Sequence, residues 1–233
     1  MINNIFKQIT SVKKKIAHAA EQVQRDSEQI QLLAVSKTKP VSLIKQAYQA
    51  GLRHFGENYV QESIEKIQQI KTDADFDEPI YWYFIGPLQS NKTRPVAENF
   101  DWVQSVDRFK IAQRLNDQRP SEMPALNICL QVNISGEASK SGTTLSQVIE
   151  LASQVNSLPR LKLRGIMAIP EKTENIELLE NQFKTLHNIY QQLQQRYPDI
   201  DTLSMGMSAD LHSAIRCGST MVRIGSDIFG SRN

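Results

Sequence analysis

Short apolar runs alternate with segments of helical period along the whole chain. The first run is LLAVSK at 32–37, and PVSLIKQAYQAG follows it, with Pro40 near a helix start and Gly51 just past its end, the asymmetry expected of a helix. The same alternation continues through RHFGEN and the helical YVQESIEKIQQIK, then YWYFIG (81–86) and SNKTRPVAENF, with Pro95 in a first turn. DWVQSV (101–106) precedes DRFKIAQRLNDQ, for which Asp107 is a plausible N-cap. LNICLQVNI (126–134) precedes TLSQVIELASQVNSL, and LKLRGIMAIP (161–170) precedes a long helix with Leu179, Phe183, Leu186, Tyr190 and Leu193 on one side. That stripe is too short to prefer a coiled-coil seam over a barrel-facing helix. TLSMG (202–206), SADLHSAIRCG, MVRIG (221–225) and the tail SDIFGSRN complete the chain.

Eight strands, each followed by a helix or turn, predict an α/β fold: a single (β/α)8 TIM barrel spanning residues 1–233. Residues 1–28 form a helical extension packed on it, with Ile2, Ile5, Phe6, Ile9, Val12, Ile16 and Val23 on one face. The doubly wound open sheet is the alternative, but no GxGxxG follows the first strand.

Composition narrows the function classes. The 233 residues carry a formal net charge of +2 with acids and bases interspersed, so neither nucleic acid nor a membrane surface is an expected partner. Lys13, Lys14 and Lys15 read as a solvated helix face. No run approaches the roughly 18 apolar residues of a membrane span. The N-terminus lacks the apolar core of a secretory signal. The two cysteines, Cys129 and Cys217, show no disulfide spacing, and Cys129 sits in an apolar run as a buried thiol. A cytoplasmic protein is expected.

In a barrel of this kind function sits at the C-terminal strand ends. Those positions here are Lys37, Glu57, Asn58, Gly86, Ser105, Asn133, Met167, Ser208, Gly225 and Ser226. The loops after the seventh and eighth strands are the frequent phosphate site of the fold, and Ser208, Gly225 and Ser226 supply hydroxyls and a backbone open to close approach. Lys37 faces them from the first strand. Burial lowers a lysine pKa, and a neutral amine is a nucleophile that forms a Schiff base with an aldehyde. An aldehyde joined to a phosphate describes pyridoxal 5′-phosphate (PLP). A phosphorylated sugar handled by an aldolase fits the same physics, and an ordinary strand-end lysine is the bland reading.

The blocks LLAVSKTKP, FGENYVQE, FIGPLQSNK, SGEASKSG, RGIMAIP, SMGMSADLHSAI and GSTMVRIGSDIFG occur in this order from about residue 30 to 230. In this the chain resembles the YggS-like family, the PLP-binding proteins of vitamin B6 homeostasis. The resemblance implies a fold-type III barrel similar to the N-terminal domain of alanine racemase. It implies PLP held covalently on Lys37, with Asn58 near the ring and Ser208, Gly225 and Ser226 at the phosphate. Arg223 is implied as partner of the pyridine nitrogen, where a cation disfavours protonation and weakens the electron sink. Met167 is a candidate for a ring face, with an ordinary core methionine as the equal alternative. Many members of the family have His where Pro87 stands, and Thr where Ser226 stands.

Two functions follow from the resemblance. One is a non-catalytic PLP carrier, monomeric and open to solvent, with PLP-dependent apo-enzymes as acceptors; the chain stops soon after the eighth strand, where racemases continue into a further domain. The other is a small PLP-dependent enzyme such as an amino-acid racemase, which needs a second base from Tyr59, Tyr81 or Tyr83. Lys140 and Lys39 read first as ordinary loop lysines; the alternative is that Lys140 receives or guides the cofactor and Lys39 aids an incoming phosphate.

Overall fold

The computed structural model describes residues 5–135 and 141–230. Eight parallel strands close into one barrel in chain order: β1 (Gln31–Val35), β2 (His54–Glu57), β3 (Tyr81–Phe84), β4 (Trp102–Val106), β5 (Leu126–Gln131), β6 (Leu161–Met167), β7 (Thr202–Ser204) and β8 (Met221–Ile224). β8 pairs back onto β1, with Leu33 opposite Arg223 and Ala34 opposite Ile224, so the first and last strands end side by side. The expected barrel is the observed one.

The helices are α1 (Ile5–Glu21), α2 (Val41–Gln49), α3 (Val60–Lys71), α4 (Thr93–Asn99), α5 (Phe109–Gln118), α6 (Val148–Asn156), α7 (Ile176–Arg196), α8 (Leu211–Arg216) and α9 (Ser226–Phe229). Helix α1 buries Ile5, Ile9, Val12 and Ile16 and packs against α8 and α9, whereas Phe6 is exposed. Asn175 caps α7, its side chain accepting from the Leu178 amide, and Leu179, Phe183, Leu186, Tyr190 and Leu193 face the barrel side.

Two apolar layers result. Leu33, Tyr83, Trp102, Cys129, Met167 and Met221 fill the barrel interior. A larger layer lies between strands and helices and includes Ala34, Phe55, Val103, Ile128 and Leu203. Each fully buried large side chain contributes roughly 1.5–3 kcal/mol.

Three local expectations change. Strand β1 ends at Val35, so Ser36 and Lys37 lie beyond the ladder in a turn. Asp107 does not cap α5; Arg108 holds the N-cap position and Asp107 pairs with its guanidinium instead. The tail forms the short helix α9. Lys140 and Ile2 lie outside the described residues. Among the described residues no helix is long and apolar enough to cross a membrane.

Candidate functional site

A cavity of about 430 Å³ opens at the C-terminal strand ends and is lined by Lys37, Asn58, Ser208, Arg223, Gly225 and Ser226. Six of the seven positions singled out as cofactor contacts therefore meet at one place. Val35, Ile85, Ile169 and Met207 supply apolar walls, and Lys39 also lines the cavity. Lys37, Lys39 and Arg223 are the ionisable side chains among its described lining.

Met167 is not part of this lining. It is the last residue of β6, is fully buried, and points into the barrel interior with Cys129 and Trp102. Ile169, two residues further, reaches the cavity. Ser105 and Glu57 are likewise buried without lining it.

Arg223 projects from β8 and is only 4% exposed. Its guanidinium donates to the Ser204 carbonyl at 2.8 Å, the Ser204 hydroxyl at 2.7 Å and the Ala168 carbonyl at 2.8 Å. The Ser204 hydroxyl donates onward to Gln104 Oε1 at 2.8 Å. These acceptors are neutral. Burial pulls the Arg223 pKa down to about 10, with the nearby Asp210 charge opposing, so the group stays cationic at neutral pH.

The last two strands build the anion end. Ser208 precedes α8, and Ser226 opens α9 with Gly225 as its N-cap. First-turn amides of a helix lack intrahelical acceptors, which favours an anion there. Asp227 accepts from Lys15 of α1 at 2.8 Å and from the Ser208 hydroxyl, and the Lys15 bond holds its carboxyl below the usual range. A Cβ on Gly225 would sit 3.2 Å from the Val35 carbonyl oxygen, so this glycine also serves the close approach of β8 to β1.

Asn58 stands opposite. Its Oδ1 is buried and has no hydrogen-bond partner. A Cβ on Gly86 would fall 2.2 Å from the Asn58 carbonyl oxygen, so glycine there is what lets the Asn58 backbone sit against the end of β3.

Lys37 is half-buried in a turn closed by the Lys39 amide donating to the Ser36 carbonyl at 3.0 Å. Thr38 follows with φ +62°, a left-handed conformation costing roughly 1–2 kcal/mol for a residue with a branched Cβ. Behind the turn lies a buried ionic cluster. Lys66 Nζ is 2.9 Å from both the Ser36 carbonyl and Glu57 Oε1, and 2.5 Å from Glu62 Oε1. The Ser36 hydroxyl donates to Glu57 at 2.7 Å. Burial pushes the Glu57 carboxyl above its ordinary pKa, against the pull of Lys66.

This cluster was not anticipated, although one signal was available. Ser63, Lys66, Ile67 and Ile70 are the buried positions of α3, so Lys66 falls on the apolar stripe of its helix, and Glu62 lies one turn before it.

The tyrosines considered as a second base do not line the cavity. Tyr81 begins β3 at the opposite end of the barrel. Tyr83 is buried against Trp102 and bonded to His54 at 3.0 Å, and burial raises its phenol pKa. Tyr59 is exposed.

Comparison with known proteins agrees with this architecture. The family model described as alanine racemase, N-terminal domain, matches residues 13–233. The pyridoxal phosphate homeostasis protein of Pasteurella multocida is 54% identical over 98% of both chains. That of Escherichia coli K12 is 51% identical over 100% of this chain and 98% of its own. PipY of Synechococcus elongatus, solved with PLP bound, is 34% identical with a TM-score of 0.77, covering 92% of this chain and all (100%) of its own. Alanine racemase of Clostridium difficile, 15% identical with a TM-score of 0.74 over 99% of this chain and 57% of its own, shares the fold. By its full-length match to these relatives, this chain belongs to the family of pyridoxal phosphate homeostasis proteins.

Proposed function

We propose that the protein binds pyridoxal 5′-phosphate covalently and reversibly at Lys37, serving intracellular PLP homeostasis without a dedicated reaction. The observation that carries this reading is the cavity lining: three cationic side chains, no described carboxylate, histidine or tyrosine, and the two serines at one end. Such a lining attracts a phosphorylated anion and presents an amine, but it offers no second acid–base group of another kind.

The residues present fit the group. The orphaned Asn58 Oδ1 marks a place for a polar ligand atom, and an Asn amide can turn either its oxygen or its nitrogen towards it. The volume suits a ligand of this size. Ser208, Ser226 and the Gly225 backbone would hold the phosphate, and Arg223 would keep a fixed positive charge against the ring nitrogen. When bound, PLP supplies an aldehyde carbon to which an amine adds with loss of water, a linkage that hydrolysis reverses. The apolar walls from Val35, Ile85, Ile169 and Met207 would pack on the ring.

The relatives' naming for homeostasis supports a carrier over a racemase, and the placement of Tyr59, Tyr81 and Tyr83 does so independently. The reading assigns a cytoplasmic monomer, in a compartment where the free thiols Cys129 and Cys217 stay reduced, with PLP-dependent apo-enzymes as acceptors.

Borohydride reduction followed by peptide mapping tests it. Purified protein incubated with PLP should be yellow and carry one pyridoxyl group on Lys37, and Lys37→Ala should stay folded and unlabelled. Protein left colourless and unlabelled refutes PLP binding. Sustained turnover of free amino acids, lost in Lys37→Ala, refutes the carrier in favour of an enzyme.

A further inference from the structure

We propose that Glu62 and Lys66 of α3 are positioning residues for Lys37: they hold the backbone turn that carries it and thereby set how fast its amine takes up and gives back PLP. The inference rests on the PLP-binding reading above.

The turn is not explained by its own sequence. Its third residue, Thr38, adopts φ +62°, a conformation for which glycine or asparagine is the usual choice and which a β-branched side chain disfavours. Something outside the turn must hold it there. Two contacts do so from one helix. The Thr38 amide donates to Glu62 Oε1 at 2.6 Å, and Lys66 Nζ donates to the Ser36 carbonyl at 2.9 Å. The peptides on either side of Lys37 are therefore anchored, one to a carboxylate and one to an ammonium. The two anchors are themselves paired at 2.5 Å.

The cluster extends inward. Lys66 also pairs with Glu57, which accepts from the Ser36 hydroxyl, so the strand end and the turn share one charged network. Lys66 is 7% exposed and Glu57 fully buried. Burying charges in this way is a poor source of stability compared with apolar packing, and its best-attested use is to specify one arrangement. Glu57, Glu62 and Lys66 are absent from the described lining of the Lys37 cavity. Their described contacts with the turn are to the Thr38 amide, the Ser36 carbonyl and the Ser36 hydroxyl, which flank Lys37. Should Thr38 relax to negative φ, the Lys37–Thr38 peptide rotates and the amine is aimed elsewhere. Misplacement of a reacting group on that scale slows reactions strongly.

Rapid-mixing absorbance of PLP uptake, and release into excess semicarbazide, measure the effect, with circular dichroism and urea unfolding as fold controls. Glu62→Ala is expected to stay folded and to take up PLP at Lys37 roughly tenfold or more slowly. Glu62→Gln, whose amide oxygen still accepts from the Thr38 amide, should recover most of the rate. Thr38→Gly placed in the Glu62→Ala chain should also recover it, because glycine adopts positive φ without support. A structural role alone predicts neither rescue. Uptake at the wild-type rate in Glu62→Ala, or failure of both rescues, overturns the proposal. If Glu62→Ala does not fold, Glu62→Asp serves: a slower rate supports the proposal, and the wild-type rate overturns it. Failure of the PLP-binding reading shows differently, as wild-type protein that never labels at Lys37.

Discussion

The Arg223 guanidinium donates to both the carbonyl and the hydroxyl of Ser204, at 2.8 and 2.7 Å, so a cation from the eighth strand is clamped to the end of the seventh. The clamp fixes a buried positive charge where the cavity floor meets the barrel interior. With Arg223→Glu, a carboxylate would replace that cation and favour a proton on the ring nitrogen of bound PLP. The absorbance band of the bound cofactor is expected to shift. Arg223→Gln should shift it less, while losing charged hydrogen bonds of about 1.5–3 kcal/mol each. An unchanged spectrum in folded Arg223→Glu protein would remove Arg223 from the nitrogen.

The buried pair Lys66–Glu57 makes a second prediction. Lys66→Met leaves Glu57 buried without its cation, and breaking such a pair costs about 3–5 kcal/mol. Adding Glu57→Gln should return a large part of that loss, because the stranded charge is gone. Urea unfolding of the two variants measures both steps; equal stability of single and double variants would show that Glu57 carries a proton once Lys66 is gone, so that no stranded charge remains.

The barrel was legible because its signal is repetitive. Strands buried on both faces read as apolar runs, and each of the eight is followed in the chain by a helix. Most of the cavity was legible too, since closure of the barrel brings the ends of β1 and β8 together and so sets Lys37 beside Gly225 and Ser226. What stayed hidden depended on depth in the barrel and on contacts between segments far apart in the sequence. Met167 stands at a strand end but sits within the packed barrel interior, and Ile169, two residues on and past the end of β6, is the one that reaches the cavity. Thr38 carries no sign of positive φ, because its conformation is imposed by Glu62, a residue 24 positions away. The apolar stripe of α3 flags Lys66, but its partners come from across the fold: the Ser36 carbonyl, Glu57 and, from its own helix, Glu62 converge on it.

At the other end of the barrel, burial lowers the pKa of His54, whose ring stacks on Tyr81 and bonds Tyr83 at 3.0 Å. A depressed pKa means that the unfolded chain binds the proton more readily than the folded one. His54 therefore contributes stability above its ordinary value of 6.5, and that contribution is lost as pH falls through the lower folded value. His187, also lowered by burial, adds to the same slope. Stability should decline on acidification below about pH 6.5, and His54→Gln should flatten part of that decline. Urea midpoints across pH 5–7.5, roughly the His titration range, test it; parallel curves for wild type and His54→Gln would refute the assignment.

Gly86 permits the sharpest test of the cavity wall. An alanine Cβ there would fall 2.2 Å from the Asn58 carbonyl oxygen and 2.7 Å from its Cα, both backbone atoms that no side-chain rotation can move away. The Asn58 segment must shift outward, carrying its unpartnered Oδ1 with it. Overpacking of this kind costs about 1–3 kcal/mol of stability. The effect on PLP should exceed what that loss explains, because Asn58 lines the cavity and moves as a unit with its backbone. Absorbance titration under conditions where the variant is fully folded is expected to show PLP affinity reduced by about tenfold or more, the equivalent of one well-placed polar contact. Borohydride labelling at saturating PLP should still reach Lys37, since the turn that carries it is anchored to α3 and not to β3. Wild-type affinity in folded Gly86→Ala protein would mean that Asn58 does not contact the cofactor.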